Sequence, residues 1–458
     1  MASVKMAEQN RKPDNYNAIT EGVIWKQLLL FFFPLLLGTF FQTLYNTVDA
    51  VIVGRFVGTE GLSAVGGAAA TLINLFVGFF VGVSSGATVV IAQYYGAKRA
   101  DDVERAVHTA MALALAGGVI LTLICFFLGP EALVWMNTPE DTLADSGLYL
   151  RIFALGMIPN MIYNMGSGVL RAAGDSRHPT VYLIAGALTN TVLDLLFVAV
   201  FHQGVAGAAI ATILSQLVSA VLTVIRLCRT EDVYRLNLRR IRFDRVYLAK
   251  IVGIGIPAGL RSSMYTFSNI VIQAAVNGFG TTTVAAWAVW GKLDSMYWML
   301  LSSLGTALTT FVGQNYGAGK STRVRRSVKE TAVISLLLTV FFTVLIWTLA
   351  EPMYSIFTPD AQVIREGAHM SRCLAPYYWT YITIEVLSAA LIGMGDALIP
   401  TVITVLGVCV LRIIWNVTAV PYFHTIETVI WNYPITWSVT STAFLIYYRI
   451  FKKKRHLA

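Results

Sequence analysis

Residues 313–321 read GQNYGAGKS. The end of this stretch resembles a phosphate-binding loop, which needs G-x-x-x-x-G-K-[ST] so that backbone N–H groups can curl round phosphates. Counting back from Gly319-Lys320-Ser321, the first glycine belongs at 314, and the chain has Gln314 there. Such a loop also follows a short buried strand. Here residues 293–312, LDSMYWMLLSSLGTALTTFV, are nearly all apolar or small and long enough to span a membrane. Nucleotide binding is therefore not expected.

The stretch has a sister. IAQYYGAKR begins at 91, so Gln93 and Gln314 lie 221 positions apart. The same offset separates GDSRHPT (174–180) from GDALIPT (395–401), and Arg151 from Arg372. TPE at 138 and TPD at 358 differ by 220, and Pro34 and Pro257 by 223. Five landmarks in one order at nearly one offset indicate an internal duplication. In this reading QNYGAGK is a turn after the second span of its half, where glycine ends a long helix.

Composition places the repeat in a bilayer. Hydrophobic residues make up 56% of the chain and charged residues 13%, about half the charged share of a soluble domain. Twelve apolar runs are long enough to cross as helices. They lie near 25–53, 62–92, 105–128, 146–170, 179–200, 205–227, 247–277, 282–312, 328–350, 368–394, 400–421 and 428–450. The second and eighth are long and Gly/Ser-rich, so they are expected to be kinked or tilted. The expected fold is an all-α polytopic membrane protein. Its two six-helix lobes are related by a pseudo-twofold axis along the membrane normal, because six is even and both halves enter from one side. The divisions are an N-tail (1–24), an N-lobe (25–227), a linker (228–246), a C-lobe (247–450) and a basic C-tail (451–458). The first residues are polar and lack a cleavable apolar core, so the first span is expected to serve as the insertion signal.

Lysine and arginine set the orientation. The two tails with the adjoining Lys26 and Arg449, and the segments near 93–105, 171–178, 226–250, 313–329 and 395, hold 27 of the 34 basic residues. The intervening loops carry acids, among them Glu131, Glu140, Asp141, Glu351 and Asp360. Both termini are thus expected in the cytoplasm. The net charge of +9 is a topology signal and an attraction to anionic lipid, not a nucleic-acid footprint. Cys125, Cys228, Cys373 and Cys409 show no paired spacing and read as buried small hydrophobes.

Acids at depth are costly and need a reason. Asp49 and Asp194 lie roughly 6–9 Å below the outer end of the first and fifth spans at 1.5 Å per residue. Asn190 precedes Asp194 by one helical turn and shares its face. Thr212 in the sixth span and Tyr149 in the fourth reach a similar depth. Five oxygen-bearing side chains from four spans suit a proton or a hard cation such as Na⁺. The alternative is that the two acids reach outer headgroups while Thr212 and Tyr149 pack. Pro34, fifteen residues before Asp49, removes a helical hydrogen bond and is expected to kink its span. In the second half Arg261, Lys292, Asp294, Glu385 and Arg412 fall near mid-span. Mutual pairing and a substrate-binding patch both remain open for these five. Three cations against two anions weaken the case for a purely cationic substrate. Aromatics in WAVWGKLDSMYWM and APYYWTYITIE belong to packing or to a cavity wall.

VGQNYGAGK, VLRAAGDSRHPT, YNTVDAVIVGRFVGTEGLSAVG and KLDS (292–295) together resemble the multidrug and toxic compound extrusion (MATE) family, in its bacterial NorM/DinF-like branch. The resemblance covers nearly the whole chain. It implies a monomeric efflux antiporter in the cell membrane, with no enzymatic activity, cofactor or nucleotide. Inflow of Na⁺ or H⁺ would drive export of amphipathic, often cationic, small molecules. It implies that Asp49, Asn190, Asp194 and Thr212 match the N-lobe cation site, with Asn164 as a further member. It also implies that ion binding changes the bend at Pro34. The chain departs from one branch of the family in the seventh span, which has Arg261, Asn269 and Gln273 but no acid.

Two other readings stand beside this one. A lipid-linked oligosaccharide flippase of the related superfamily would show a lateral opening and a strongly cationic cavity. A channel or membrane enzyme is the third, but the chain has no H-E-x-x-H, no paired Cys/His metal spacing and no G-x-S-x-G.

Overall fold

A computed structural model describes residues 19–455, and every regular element among them is helical. Most of the expected N-tail and the last three residues of the C-tail lie outside the described residues.

Twelve helical segments follow one another. The N-lobe contains α1 (Ile24–Phe56), α2 (Thr59–Gly66 and Ala68–Gly96), α3 (Ala100–Trp135), α4 (Glu140–Leu155 and Met157–Ala172), α5 (Arg177–Val200) and α6 (Gly204–Arg229). The C-lobe contains α7 (Arg245–Asn277), α8 (Thr281–Gly317), α9 (Ser321–Ser355), α10 (Ala361–Leu374 and Trp379–Gly393), α11 (Leu398–Phe423) and α12 (Ile426–Lys454). Several exceed the apolar runs at both ends, because polar residues extend a helix beyond the hydrocarbon without breaking it. α12 carries the expected C-tail as helix to Lys454. Of the two spans expected to be kinked or tilted, α2 breaks at Gly67, whereas α8 is one uninterrupted helix of 37 residues. The fourth helix of each lobe breaks at one place in the repeat, Gly156 in α4 and the turn Ala375–Tyr377 in α10.

The lobes meet near the ends that carry the basic segments. Here α2 and α7 touch backbone to backbone. A Cβ on Gly82 would lie 2.4 Å from the Gly259 nitrogen, and one on Gly86 2.4 Å from the Ile251 carbonyl oxygen. Small residues permit such approach. The pseudo-symmetric contact between α1 and α8 is built of side chains instead, with Phe31 and Phe32 against Leu304, Ala307 and Phe311. α7 is thereby held by close main-chain packing, while α1 rests on deformable side chains.

At the basic ends themselves α2 and α8 cross. A Cβ on Gly96 would fall 2.0 Å from the Gln314 carbonyl oxygen, and one on Gly317 1.9 Å from that of Gln93. The motif met first in the sequence is therefore the crossing point of the two lobes. Its neighbours hold the segment before α1. Arg323 donates to the carbonyls of Gly22 (2.9 Å) and Ile19 (3.0 Å), and Lys320 to that of Thr20 (2.9 Å). The segment between α6 and α7 is tied to the N-lobe. Arg240 pairs with Glu104 at 2.8 Å, and the Asn237 and Asp244 amides donate to His108 and Thr109.

Candidate functional site

Asp49 and Asp194 come from separate helices that pack against each other, and each carboxylate lies within the other's field. Asp194 is fully buried, and Asp49 is half-buried with one carboxylate oxygen shielded. α5 passes into a π-helical turn, Leu195–Val200, immediately after Asp194. Such turns redirect side chains and recur at functional sites. Asn190, one turn earlier, donates its amide Nδ2 to Thr212 Oγ1 at 3.5 Å, and Thr212 donates to the Ala208 carbonyl at 3.0 Å. Tyr149 is buried within the field of both carboxylates. The structure thus brings together Asp49, Asn190, Asp194, Thr212 and Tyr149.

Four oxygens in this group have no hydrogen-bond donor: Asp49 Oδ1, Asn190 Oδ1 and both oxygens of Asp194. The Asn190 oxygen has no donor, while its amide nitrogen bonds Thr212. A buried acceptor left unpaired costs about 1–3 kcal/mol, more when charged. Two facing carboxylates add mutual repulsion unless a proton or another cation lies between them. The donor set is all oxygen, which suits a proton or a hard monovalent ion. The corresponding C-lobe positions are Leu411 and Trp415 in place of Asn190 and Asp194, so the duplicated half cannot repeat the site.

Sequence reasoning missed Tyr45. It lies one turn before Asp49 on the same face of α1, within the field of both carboxylates. The i, i+4 rule that connects Asn190 with Asp194 also points to it. Tyr45 lines a cavity of about 300 Å³ with Gln42, Asn160, Tyr163, Asn164 and Arg171. Asn164 belongs to this cavity wall, where its amide donates to the Asn160 side chain at 2.9 Å. Arg171, grouped by sequence with the basic ends, is in the last turn of α4 and lines this cavity.

Pro34 lies inside α1, which continues helically through it. Thr180 of α5 donates to the Pro34 carbonyl at 2.7 Å, with its own helix's Ser176 carbonyl competing at 3.1 Å. Here the GDSRHPT motif grips α1.

Arg261, Lys292, Asp294, Glu385 and Arg412 form no ion pair within 4 Å among the described residues. Asp294 instead accepts from the Tyr378 hydroxyl and the Trp298 indole, each at 2.5 Å. Arg261 donates to Ser388 at 2.5 Å, and Glu385 lies within its field. Asp294, Glu385 and Arg412 line one cavity of about 620 Å³, and Arg261 and Glu385 line a neighbour of about 450 Å³. Lys292 is exposed and belongs to neither.

A family model, MatE, matches the chain twice, over residues 34–196 and 257–418. The two matches restate the repeat. The chain is 26% identical over 451 residues to YoeA of Bacillus subtilis, described as a probable multidrug resistance protein, and 95% of each chain is covered. It is 28% identical over 394 residues to YpnP of the same organism, described in the same words, covering 86% of this chain and 88% of the relative. Among solved structures, a MATE protein in a bent conformation superposes with a TM-score of 0.90 at 21% identity, over 98% of this chain and all of the other.

Proposed function

The chain belongs to the MatE family of multidrug and toxic compound extrusion transporters, and on that premise we propose that it is a secondary antiporter exporting amphipathic organic compounds. The driving ion is H⁺ or Na⁺, bound at Asp49 and Asp194. The observation that carries this reading is the set of four buried acceptor oxygens without donors on α1 and α5. A Na⁺ ion can draw on several of these oxygens at once, and a proton shared between the carboxylates pairs two of them. Either one also removes the repulsion between the two carboxylates.

Tyr45 connects ion to cargo, because it belongs both to the carboxylate group and to the cavity wall. Cation binding draws α1 toward α5 at Asp49. The side-chain packing of α1, the proline at 34 and the Thr180 grip let that helix change its bend. The cavity then changes shape and substrate binds less tightly. The lobes alternate between openings at the two membrane faces, closed at the cytoplasmic face by the α2–α8 crossing. The basic ends and both termini lie in the cytoplasm.

The test is ion-gradient-driven efflux of a fluorescent cationic dye from proteoliposomes. Asp49→Asn and Asp194→Asn are each expected to lower it by about tenfold or more, within the range of ordinary coupling energies. Unimpaired efflux in both variants removes the proposal. Replacing Na⁺ at fixed pH identifies the ion.

A further inference from the structure

Resting on the transporter reading, we propose that the larger C-lobe cavity is a subsite for a flat aromatic compound bearing an anionic group, such as a carboxylate, rather than for an organic cation. The observation behind it is an imbalance between donors and acceptors in the cavity wall.

The wall is aromatic on several sides. Trp287 and Trp290 lie 4.4 Å apart, Trp298 and Tyr381 4.6 Å, and Tyr433 and Trp437 5.4 Å, with all six lining the cavity. Its volume of about 620 Å³ lies within the usual range for small-molecule sites. Rings presented this way stack on a flat ligand of either charge. Charge selection must come from the polar groups.

Of the two acids, Asp294 is already engaged. Asp294 accepts two short hydrogen bonds from Tyr378 and Trp298. Glu385 sits at the boundary with the neighbouring cavity, in the field of Arg261 and against the α8 backbone at Gly305. The donors are only partly engaged. Arg412 is only 3% exposed and carries five N–H groups. Among the described residues its one hydrogen-bond acceptor is Asn269, at a long 3.4 Å, and its Nε has none. The indole N–H groups of Trp290 and Trp437 are also unpaired. The guanidinium lies 4.5 Å from the Tyr433 ring centre, which fixes its plane against the aromatic wall. A π-helical turn, Val405–Val410, ends just before Leu411 and Arg412 and turns this part of α11. A planar carboxylate matches the guanidinium fork, and charge-assisted bonds of this kind are the strong ones. An organic cation would add a positive charge beside Arg412 and leave every one of these donors unpaired.

The test is equilibrium binding to the purified full chain, without any ion gradient, read by quenching of tryptophan fluorescence. The matched probes are 2-naphthoate and 2-naphthylmethylammonium. Wild type is expected to bind naphthoate saturably and at least about tenfold more tightly than the ammonium, the scale of one charge-assisted bond. Arg412→Gln should weaken naphthoate by about tenfold or more, and Arg412→Lys by less. Trp437→Phe keeps an aromatic ring at this position while removing the indole N–H, and should weaken naphthoate about threefold. Preference of the wild type for the ammonium, absence of naphthoate binding, or unchanged naphthoate affinity in both Arg412→Gln and Trp437→Phe overturns the proposal. Because no gradient is used, each of these results leaves the antiport reading intact, and that reading fails or stands on the Asp49 and Asp194 efflux variants alone.

Discussion

Gln93 and Gln314, 221 positions apart, each donate to a main-chain carbonyl of the opposite lobe: Gln93 to Gly393 at 2.9 Å and Gln314 to Ala172 at 2.6 Å. The two carbonyls are themselves 221 positions apart. Duplication has thus produced a reciprocal clasp, with each lobe supplying one donor and one acceptor. Each bond contributes about 1 kcal/mol, enough for a roughly fivefold shift in a two-state balance. Replacing both glutamines by alanine is expected to shift the lobes toward separation at the basic ends. Distances between spin labels on the α4–α5 and α10–α11 turns would lengthen. Identical distance distributions in wild type and the double variant would exclude the clasp.

Arg323 holds the chain ahead of α1 against the C-lobe. It reaches the carbonyls of Ile19, Glu21 and Gly22 while bonding Asn315 at 3.0 Å. Arg323→Met keeps the aliphatic stem and removes all of these bonds. Amide exchange across residues 19–23 should accelerate about tenfold, the equivalent of one charged hydrogen bond lost locally. Unchanged protection would show that the apolar contacts of Ile19 alone retain the segment.

Thr180→Val removes one hydroxyl at nearly constant shape. Amide exchange within residues 30–38 should rise, and dye efflux should change a few-fold, while the cost in stability stays near about 1 kcal/mol. Exchange identical to wild type would mean that Thr180 does not restrain α1 at Pro34.

The twelve spans and the repeat were readable in the sequence because both rest on long-range regularities, apolar length and a constant offset. Breaks at Gly67 and Gly156 were harder to place, since glycine is frequent in every span. Depth and helical periodicity alone nominate Asp49, Asn190 and Asp194 as candidates. Tyr45 obeys the same periodicity but lacks the charge that draws attention. Asn164, added through resemblance, lies in the adjoining cavity wall. The partners of Asp294 come partly from another helix, and only packing brings Tyr378 to it. Mid-span position likewise grouped Lys292 with Arg412, although the two project to different surroundings.

The central claim is that a cation held by Asp49 and Asp194 weakens substrate binding in the cavities. The most direct measurement is dye affinity of the purified protein, titrated with H⁺ and separately with Na⁺ at constant ionic strength. The wild-type dissociation constant should rise with one of the two ions, by about fivefold or more, and the rise should vanish in Asp194→Asn. A dissociation constant that rises equally in the variant, or with neither ion in the wild type, contradicts the account.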